Sequence, residues 1–343
     1  MNLDDIKYCP CTLAEGFKTY SPAGLRIMFG RKKVSHVLDF NAPEADEEVA
    51  ERLRLNSSTI SISGAQFKQS LVVENNKLRL TKQGEPGQYI LKPIPFSPPF
   101  GKKEELPANE HLTMQIAKQA FSMLVAECAL IFFKNGEPAY ITKRFDYAKD
   151  GRKIAQEDFA SISGMSKEKD GESYRNSGSY EDIAIHMKKY VMAHAVELEK
   201  YFERIVFNYL FSNGDAHLKN FSLQQTTSGD YLLSPAYDLI DTAIHIPADS
   251  FFALSDGLFS NEFNTESFKV LGFYAYDDFF EFGIQIGMME SRIRKILDKY
   301  RNKNQKALIL TQSSFLSDSI KQLYTDHYID RLKMLNTSFS HKI

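Results

Sequence analysis

The stretch from residue 213 to residue 220, which reads Asn-Gly-Asp-Ala-His-Leu-Lys-Asn, is a polar interval between two apolar segments. Residues 201–210 are amphipathic and predict a helix, whereas residues 221–223 predict a short strand. Polar residues held between two core elements have fixed positions, and catalytic residues need such positions. A simple turn is the alternative interpretation, because Asn-Gly and Gly-Asp are common turn dipeptides.

Three residues of this region have the spacing of a phosphoryl-transfer site. Asp215 and Asn220 are separated by four residues, and Asp238 follows eighteen residues after Asn220. In phosphoryl-transfer enzymes an Asp accepts the proton of the attacking hydroxyl group, and an Asn four residues beyond it binds a metal ion. A second Asp on a following strand holds the metal ions that bridge the nucleotide phosphates. The pattern therefore predicts catalytic roles for all three residues.

The composition excludes several classes of protein. The 343 residues have a formal net charge of -2, so the total charge gives no argument for a nucleic-acid partner. Three cysteines argue against a disulfide framework. The N-terminus has no apolar signal segment, and the longest apolar run, residues 124–133, is far shorter than the roughly 20 residues of a membrane span. We expect a cytoplasmic protein with no membrane contact.

Two cysteines at the start of the chain leave one question open. Cys9 and Cys11 flank a proline, and a zinc site would require two further ligands, for which His36 is the nearest candidate.

The order of predicted elements indicates an α+β fold with two lobes. Strands are predicted at residues 59–63, 70–73, 77–80, 88–93, 126–133 and 139–146, with a helix at 109–121. Residues 148–179 are polar, and we expect a mobile excursion around a helical segment at 156–159. Helices are predicted at residues 180–195, 197–212, 265–272, 275–285, 288–301 and 312–335, with a small strand pair near residues 222 and 232. The predicted lobes are a β-rich region, residues 1–146, and a helical region, residues 147–343.

The β-rich lobe contains candidate nucleotide-binding residues. A small-residue turn between two strands contains Gly64, Ala65, Gln66 and Lys68, and its backbone N–H groups could approach a phosphate; a plain hairpin is the alternative. Lys92 on its strand could reach the α- and β-phosphates, or it could simply face solvent.

Two further features belong to the same predicted site. Glu110, at the start of the following helix, could pair with Lys92 or complement the positive end of that helix. Where the two lobes meet, a backbone edge could bind adenine and Asp146 the ribose, or Arg144 and Asp146 could form an ordinary surface ion pair. These features follow one another along the chain in the order that a two-lobed kinase shows: the turn, the strand lysine, the helix glutamate, the hinge and the catalytic loop.

With these residues in view, the chain resembles the HipA family of bacterial toxin kinases. The resemblance spans roughly residues 55–335. The matching segments are residues 60–68 (ISISGAQFK), 89–93 (YILKP), 109–110 (NE), 144–146 (RFD), 156–158 (QED), 214–221 (GDAHLKNF) and 235–238 (PAYD). The segment GDAHLKNF with the later Tyr-Asp is the most specific of them.

The resemblance implies a serine/threonine protein kinase that uses ATP and Mg²⁺. It implies that Asp215 is the base, that Asn220 and Asp238 bind Mg²⁺, and that Lys92 contacts phosphates. Phe145 and Asp146 would lie beside the nucleoside. His217 and Lys219 are similar to family positions near the phosphates, although His217 could equally orient the loop through hydrogen bonds.

The resemblance also implies regulation and partners. Ser61 matches a serine that family members autophosphorylate to switch themselves off, and Ser63 offers a second hydroxyl group. A phosphate there would repel the phosphates of ATP, since it adds a charge of about −1.5 to −2. The implied substrate is an aminoacyl-tRNA synthetase or another translation protein. The implied partner is an antitoxin, a small DNA-binding protein through which alone the kinase would contact DNA.

The chain departs from the family pattern at its start. Longer members carry an additional N-terminal subdomain that this sequence does not contain, and a separate small protein could supply it. Two other functions share part of the signal. One is a small-molecule phosphotransferase, which uses the same Asp-x4-Asn logic. The other is a catalytically idle subunit that binds a partner within a repressor complex.

Overall fold

A computed structural model of the chain describes residues 3–43, 67–95, 101–148, 151–246 and 250–341. The chain divides into two units. Unit 1 comprises Met1–Gly151, Ile244–Pro247 and Lys306–Gln322, and unit 2 comprises Arg152–Ala243, Ala248–Gln305 and Leu323–Ile343. The predicted domain boundary between residues 146 and 147 stays a prediction, and the predicted strand at 59–63 lies outside the described residues.

Unit 1 contains a five-stranded antiparallel sheet. Its strands are β1 (Gln69–Glu74), β2 (Lys77–Leu80), β3 (Tyr89–Pro93), β4 (Cys128–Phe132) and β5 (Pro138–Lys143), in the spatial order β2-β1-β3-β5-β4. All five strands were predicted from the sequence. Strands β3 and β4 are the most deeply buried because their apolar residues run almost without interruption. The central position of β3 holds Lys92 opposite Tyr140 of β5.

The turn between β1 and β2 shows how local chemistry sets the register of the sheet. Asn75 and Asn76 have φ values of 49° and 60°, in the left-handed region that asparagine tolerates better than most residues. Positive φ at both central residues is the requirement of a type I′ turn, whose twist matches that of the flanking strands. Glu74 consequently pairs with Lys77.

One helix precedes this sheet in the sequence, and a second lies between β3 and β4. Helix α1 (Pro22–Phe29) begins at Ser21, whose Oγ accepts the N–H of Gly24, and ends at Gly30 with φ 60°. Helix α2 (Leu106–Gln119) is buried along almost its whole length. It begins three residues before the predicted start because Pro107 is suited to the first turn of a helix, where no N–H is needed.

The chain beyond residue 150 is mostly helical, as predicted. Its helices are α3 (Phe159–Ile162), α4 (Lys167–Asp170), α5 (Tyr180–Tyr190), α6 (His194–Leu210), α7 (Glu266–Leu271), α8 (Tyr276–Gln285), α9 (Glu290–Arg301), α10 (Gln305–Gln312) and α11 (Asp318–Leu335). A three-stranded sheet with the order β6-β7-β8 interrupts them; its strands are β6 (Gln156–Asp158), β7 (Ser222–Gln225) and β8 (Tyr231–Leu233).

Two predictions in this half were wrong. The segment 156–159 was expected to be helical, but Gln156–Asp158 pairs with β7 and only from Phe159 does a helix begin. The helix expected at 312–335 begins only at Asp318, as α11, and the preceding helix α10 was not predicted. Ser314 lies between them, and its Oγ donates to the carbonyl of Thr311, an alternative to the helical backbone pattern that serine often offers.

An aromatic cluster forms part of the core of unit 2. The Tyr209 ring lies 5.0 Å from Phe279 and 5.9 Å from Phe252, and Phe252 lies 4.8 Å from Tyr274. These tilted and edge-on arrangements are the favourable ones for aromatic pairs. The Phe-rich stretch that begins at Phe251 thus contributes to the core.

The three cysteines are buried and free. Cys9 accepts the N–H of Ser21, and the Cys11 thiol points to the carbonyl of Cys128 at 3.5 Å. Within the described ranges, no group of three or more His, Cys, Asp or Glu side chains is arranged to hold a metal ion. In the same ranges, no helix is long and apolar enough to cross a membrane.

Candidate active site

The loop of residues 213–220 follows α6 in unit 2, and hydrogen bonds fix it from its first residue, Asn213. Helix α6 is amphipathic and buries most of its second half, so its C-terminal end has a fixed position in the core. The Asn213 N–H donates to the Asn208 carbonyl at 2.8 Å, and Asn213 Nδ2 donates to Asn208 Oδ1 at 3.0 Å. Asn213 Oδ1 in turn accepts the Asp215 N–H at 3.3 Å. Asp215 is 8% exposed.

A threonine from a later segment fixes the next residue of the loop. Thr242 Oγ1 accepts the Gly214 N–H at 2.8 Å and donates to the Ser212 carbonyl at 2.9 Å. One hydroxyl group therefore satisfies two backbone groups at the position immediately before Asp215.

Two tyrosines hold carbonyl groups of the same loop. Tyr180 OH donates to the Ala216 carbonyl at 2.8 Å, and Tyr237 OH donates to the Lys219 carbonyl at 2.9 Å. Burial raises the pKa of both phenols, so both stay protonated donors at neutral pH. The backbone on each side of His217 is consequently fixed.

The predicted metal-binding residues are in contact. Asn220 Oδ1 accepts the His217 N–H at 3.1 Å, and Asn220 Nδ2 lies 3.4 Å from Asp238 Oδ2. Asp238 has φ 55°, a conformation that aspartate adopts more readily than most residues and that marks functional loops. Amide and carboxylate oxygens are ligands that Mg²⁺ accepts, and an amide oxygen has a second lone pair for a cation. The donor set therefore fits Mg²⁺.

His217 is neutral in the folded protein. Burial, followed by the nearby charge of Arg175, lowers its pKa to about 3. The backbone N–H of His217 donates to Asn220 Oδ1, and this contact positions the two residues relative to each other. Lys219 points outward, with 44% of its side chain exposed, and its Nζ lies 3.3 Å from Asp158 Oδ2. Burial acts to lower the pKa of Lys219, but the charges of Asp158 and Tyr174 and the hydrogen bonds to both together outweigh it, and the pKa is raised.

Unit 1 contributes a buried ion pair. Lys92 Nζ on β3 lies 2.6 Å from Glu110 Oε1 on α2, and both side chains are at most 5% exposed. The Nζ atom also lies 5.2 Å from the centre of the Tyr140 ring. Lys92 therefore does not face solvent, which was the alternative interpretation of the sequence. A buried pair with these partners matches the strand lysine and helix glutamate of kinases.

The predicted hinge residues lie after β5. Arg144 Nε donates to Asp146 Oδ1 at 2.9 Å, and Arg144 Nη2 contacts Asp146 Oδ2, so the guanidinium engages both carboxylate oxygens. This is the ion pair that was the alternative to a ribose contact in the interpretation of the sequence. Phe145 is half-buried, and Lys68 is exposed just before β1. Ser61, Ser63, Gly64, Ala65 and Gln66 lie outside the described residues.

Sequence reasoning missed two residues that shape the loop and one buried cation. Thr242 and Tyr180 hold the backbone beside Asp215, and Arg204 is buried on α6, with Nη2 donating to the Ser234 carbonyl at 2.6 Å. Burial lowers the pKa of Arg204 to about 10, and its guanidinium lies 5.8 Å from the centre of the Phe221 ring. The one sequence feature that could have pointed to Arg204 was the presence of an arginine within the apolar segment 201–210.

Comparison with known proteins identifies the family and the relatives of the chain. Residues 60–308 match the model of the family described as HipA-like C-terminal domain. A protein of Haemophilus influenzae with the name "Putative kinase" is 28% identical over 352 residues, which cover 98% of each chain. The Sinorhizobium fredii protein "Putative kinase Y4dM" is 31% identical over 231 residues, which cover 63% of this chain and 53% of that protein.

A solved structure shares the fold. A chain in the complex of the Shewanella oneidensis MR-1 toxin–antitoxin system HipA, HipB and its operator DNA superposes with a TM-score of 0.61 at 18% identity. The match covers 87% of this chain and 74% of that one. The shared fold is an α+β fold of the two-lobed, kinase-like class. The chain belongs to the family of HipA-like C-terminal domain proteins.

Proposed function

We propose that this protein is an ATP-dependent serine/threonine protein kinase and the toxin of a toxin–antitoxin system. One observation carries the proposal: Asp215 and Asn220 lie on one hydrogen-bonded loop, and Asn220 Nδ2 lies 3.4 Å from Oδ2 of Asp238, which follows β8. A plain turn needs neither the buried carboxylate of Asp215 nor the contact between Asn220 and Asp238. A phosphoryl-transfer site needs both.

In the proposed reaction Asp215 is the catalytic base. It orients the hydroxyl group of a serine or threonine of the substrate and accepts its proton as the oxygen attacks the γ-phosphorus of ATP. The bond between the γ-phosphorus and the bridging oxygen breaks, and ADP leaves with the electron pair. The hydrogen bonds that Asn213 Oδ1 and Thr242 Oγ1 accept from the loop backbone hold this part of the loop, so the carboxylate does not have to be ordered during the reaction.

Asn220 and Asp238 are the residues that would hold Mg²⁺. When bound, Mg²⁺ neutralises negative charge on the nucleotide phosphates. The hydrogen bond from the His217 N–H orients the Asn220 amide for this purpose. His217, neutral and buried, and Lys219 would lie near the phosphates.

The nucleotide contacts proposed for unit 1 follow the same logic. Lys92 binds the phosphates, and its pairing with Glu110 keeps the ammonium group fixed. Phe145 and Asp146 lie beside the nucleoside. The small-residue turn with Gly64, Ala65, Gln66 and Lys68 provides backbone N–H groups for the phosphates. Replacing the Arg144 contact by a ribose contact would require Asp146 to rotate.

The proposed partners come from the family and from its solved member. The Shewanella protein is part of a toxin–antitoxin complex with HipB and operator DNA. By analogy, the partner here is a small DNA-binding antitoxin, and contact with DNA occurs only through it. A separate small protein would replace the additional N-terminal subdomain of longer members. The proposed substrate is an aminoacyl-tRNA synthetase or another translation protein, and its modification in the cytoplasm would arrest growth.

The experiment that tests the proposal is transfer of radiolabelled γ-phosphate in a cell lysate. Wild-type protein is compared with Asp215→Asn, which keeps the shape of the side chain and removes the base. A discrete labelled protein with the wild type alone would support a protein kinase, and mass spectrometry would identify it. If no protein is labelled, the small-molecule phosphotransferase or the idle binding subunit becomes the better interpretation.

Autophosphorylation at Ser61 or Ser63 is a separate part of the proposal. A phosphate on either serine would repel the phosphates of ATP and switch the kinase off. Intact-mass spectrometry of the wild type and of Asp215→Asn should show an added phosphate only in the wild type. Ser61→Ala and Ser63→Ala variants then identify the modified residue. Equal, unmodified masses in both proteins would contradict self-inhibition by this route.

A further inference from the structure

Unit 2 contains a cavity of about 430 Å³ whose lining combines aromatic rings and carboxylates. The rings are those of Phe251, Phe252, Phe263, Phe268 and Tyr274. Phe263 is 43% exposed at the rim. A cavity of this size holds a single large side chain or a small ligand.

The polar part of the lining has one sign of charge. Asp256 and Glu262 line the cavity, and both are exposed. Among the described residues that line it, none is a lysine or an arginine. Two carboxylates beside aromatic rings form an environment that suits a cation, since rings attract a guanidinium or ammonium group within about 6 Å of their centres. One ring of the cavity already makes a cation–π contact within the protein: the Arg331 guanidinium lies 4.3 Å from the centre of the Phe251 ring.

The cavity is connected to the catalytic loop through a single side chain. The Phe252 ring in the cavity wall lies 5.1 Å from the Tyr180 ring in an edge-on contact. Tyr180 OH donates to the carbonyl of Ala216, the residue directly after Asp215. An extended peptide advances by roughly 3.3 Å per residue, so a few residues would connect this cavity to the base.

The segment that forms the cavity is also tied to the chain before α5. Asn176 Nδ2 donates to the Ala253 carbonyl at 2.9 Å, and the Asn176 carbonyl accepts the Ser255 N–H at 2.7 Å. The Asp256 N–H donates to the Gly178 carbonyl at 3.1 Å. These bonds hold the backbone up to Asp256, and the Ser255 hydroxyl group donates to Asp256 Oδ1 at 2.8 Å, so the carboxylate has a positioning contact before any partner arrives.

We propose that this aromatic and acidic cavity binds an arginine or lysine side chain of the protein substrate, a few residues from the phosphorylated serine or threonine. The proposal rests on the protein-kinase function proposed above and adds a specificity determinant to it. The group that we expect in the cavity is a basic side chain of the substrate, because the two carboxylates would repel an acidic one.

Direct binding tests the cavity without requiring phosphoryl transfer. Two capped peptides, Ala-Ser-Ala-Arg-Ala and Ala-Ser-Ala-Glu-Ala, are titrated into protein that contains fluorinated phenylalanine, and the ¹⁹F signal of Phe263 is followed after assignment with Phe263→Leu. We expect the arginine peptide to shift this signal and the glutamate peptide to leave it unchanged. The double variant Asp256→Asn with Glu262→Gln should bind the arginine peptide about tenfold more weakly, as expected for the loss of two charge contacts. Equal shifts by both peptides, or no shift by the arginine peptide, would overturn the proposal.

The labelling assay in lysate gives the second readout. The double variant should raise the KM for the labelled protein severalfold while kcat and self-labelling stay unchanged, because none of its changes touches the loop around Asp215. Glu290→Gln is the matched control, since Glu290 is 66% exposed in the same unit and does not line the cavity. An unchanged KM in the double variant would exclude a docking role. Absence of labelling by the wild type would count against the kinase, whereas the peptide titration would still decide the cavity.

Discussion

The Gly214 N–H and the Thr242 hydroxyl are joined by a hydrogen bond of 2.8 Å across 28 residues of chain. This bond fixes the residue before Asp215 to the segment that follows Asp238. The proposed base and a proposed metal ligand thus share one support, and a change at Thr242 should affect both.

Thr242→Val should weaken the protein and slow phosphoryl transfer. Valine has nearly the same shape but leaves the partly buried Gly214 N–H without its acceptor, which costs about 1–3 kcal/mol of the free energy of unfolding. Transfer should fall roughly ten- to hundredfold, because small displacements of a base have effects of that size. Urea unfolding and the labelling assay measure the two effects. Thr242→Ser retains the hydroxyl group and should behave like the wild type; equal losses in both variants would contradict this role.

The Lys92–Glu110 pair should be costly to break from one side. Lys92→Met leaves the Glu110 carboxylate buried without its cation, and the expected loss is about 3–5 kcal/mol in the free energy of unfolding. The double variant Lys92→Met with Glu110→Leu removes both charges, so it should be more stable than the single variant. Urea unfolding of both single variants and the double variant gives the coupling energy.

Phosphoryl transfer separates the structural effect of this pair from its proposed binding role. The double variant should regain stability but not activity, since the proposed phosphate contact needs the ammonium group of Lys92. A double variant that transfers phosphate at the wild-type rate would assign the pair to stability alone.

Three buried histidines should make the protein sensitive to mild acid. Burial lowers the pKa of His111 to about 4, of His217 to about 3 and of His245 to about 4. In the unfolded chain histidine titrates near 6.5, so the unfolded state binds more protons below that pH. The stability from these neutral histidines is complete above pH 6.5 and is lost as the pH falls toward the folded values. Each contributes about 1.4 kcal/mol per pH unit in this window.

Single substitutions identify these contributions. His245→Gln should reduce the difference in the free energy of unfolding between pH 7.5 and pH 5 by about 2 kcal/mol. His327 has the opposite sign: its hydrogen bond to Asp241 raises its pKa, so its contribution is present below pH 6.5 and is lost above the folded value. His327→Gln should therefore enlarge the difference. Urea unfolding at the two pH values decides, and a reversed order of the two variants would refute the linkage.

The sequence predicted those elements whose signal is local. Helix α6, the polar loop after it and strand β7 were predicted because a helical apolar period changes abruptly to a polar interval and back. The strands of the β1–β2 hairpin were predicted at 70–73 and 77–80, and Asn75 and Asn76 between them tolerate the left-handed conformation that the turn requires. The order of the candidate residues was also readable, since it depends only on sequence.

What the sequence did not predict depends on distant contacts. Residues 156–158 are Gln-Glu-Asp, without apolar alternation, and they form a strand only because β7 offers its edge to them. Tyr180 and Thr242 were missed because their hydroxyl groups reach backbone 36 and 28 residues away. The ion pair of Arg144 and Asp146 was only one of two alternatives, since spacing alone does not determine which group a carboxylate binds.

Tyr180 should be a positioning residue for the catalytic loop, and Tyr180→Phe tests this. The change removes only the hydroxyl group that donates to the Ala216 carbonyl at 2.8 Å, and it keeps the ring against Phe252. The free energy of unfolding should fall by about 1 kcal/mol. The kcat should fall severalfold with the KM for ATP unchanged, because the affected backbone is next to Asp215 and not on the nucleotide side. Tyr201→Phe is the control, since its hydroxyl donates to the Tyr180 carbonyl and not to the loop. A decrease in stability without a decrease in kcat, or equal kcat losses in both variants, would restrict Tyr180 to the core.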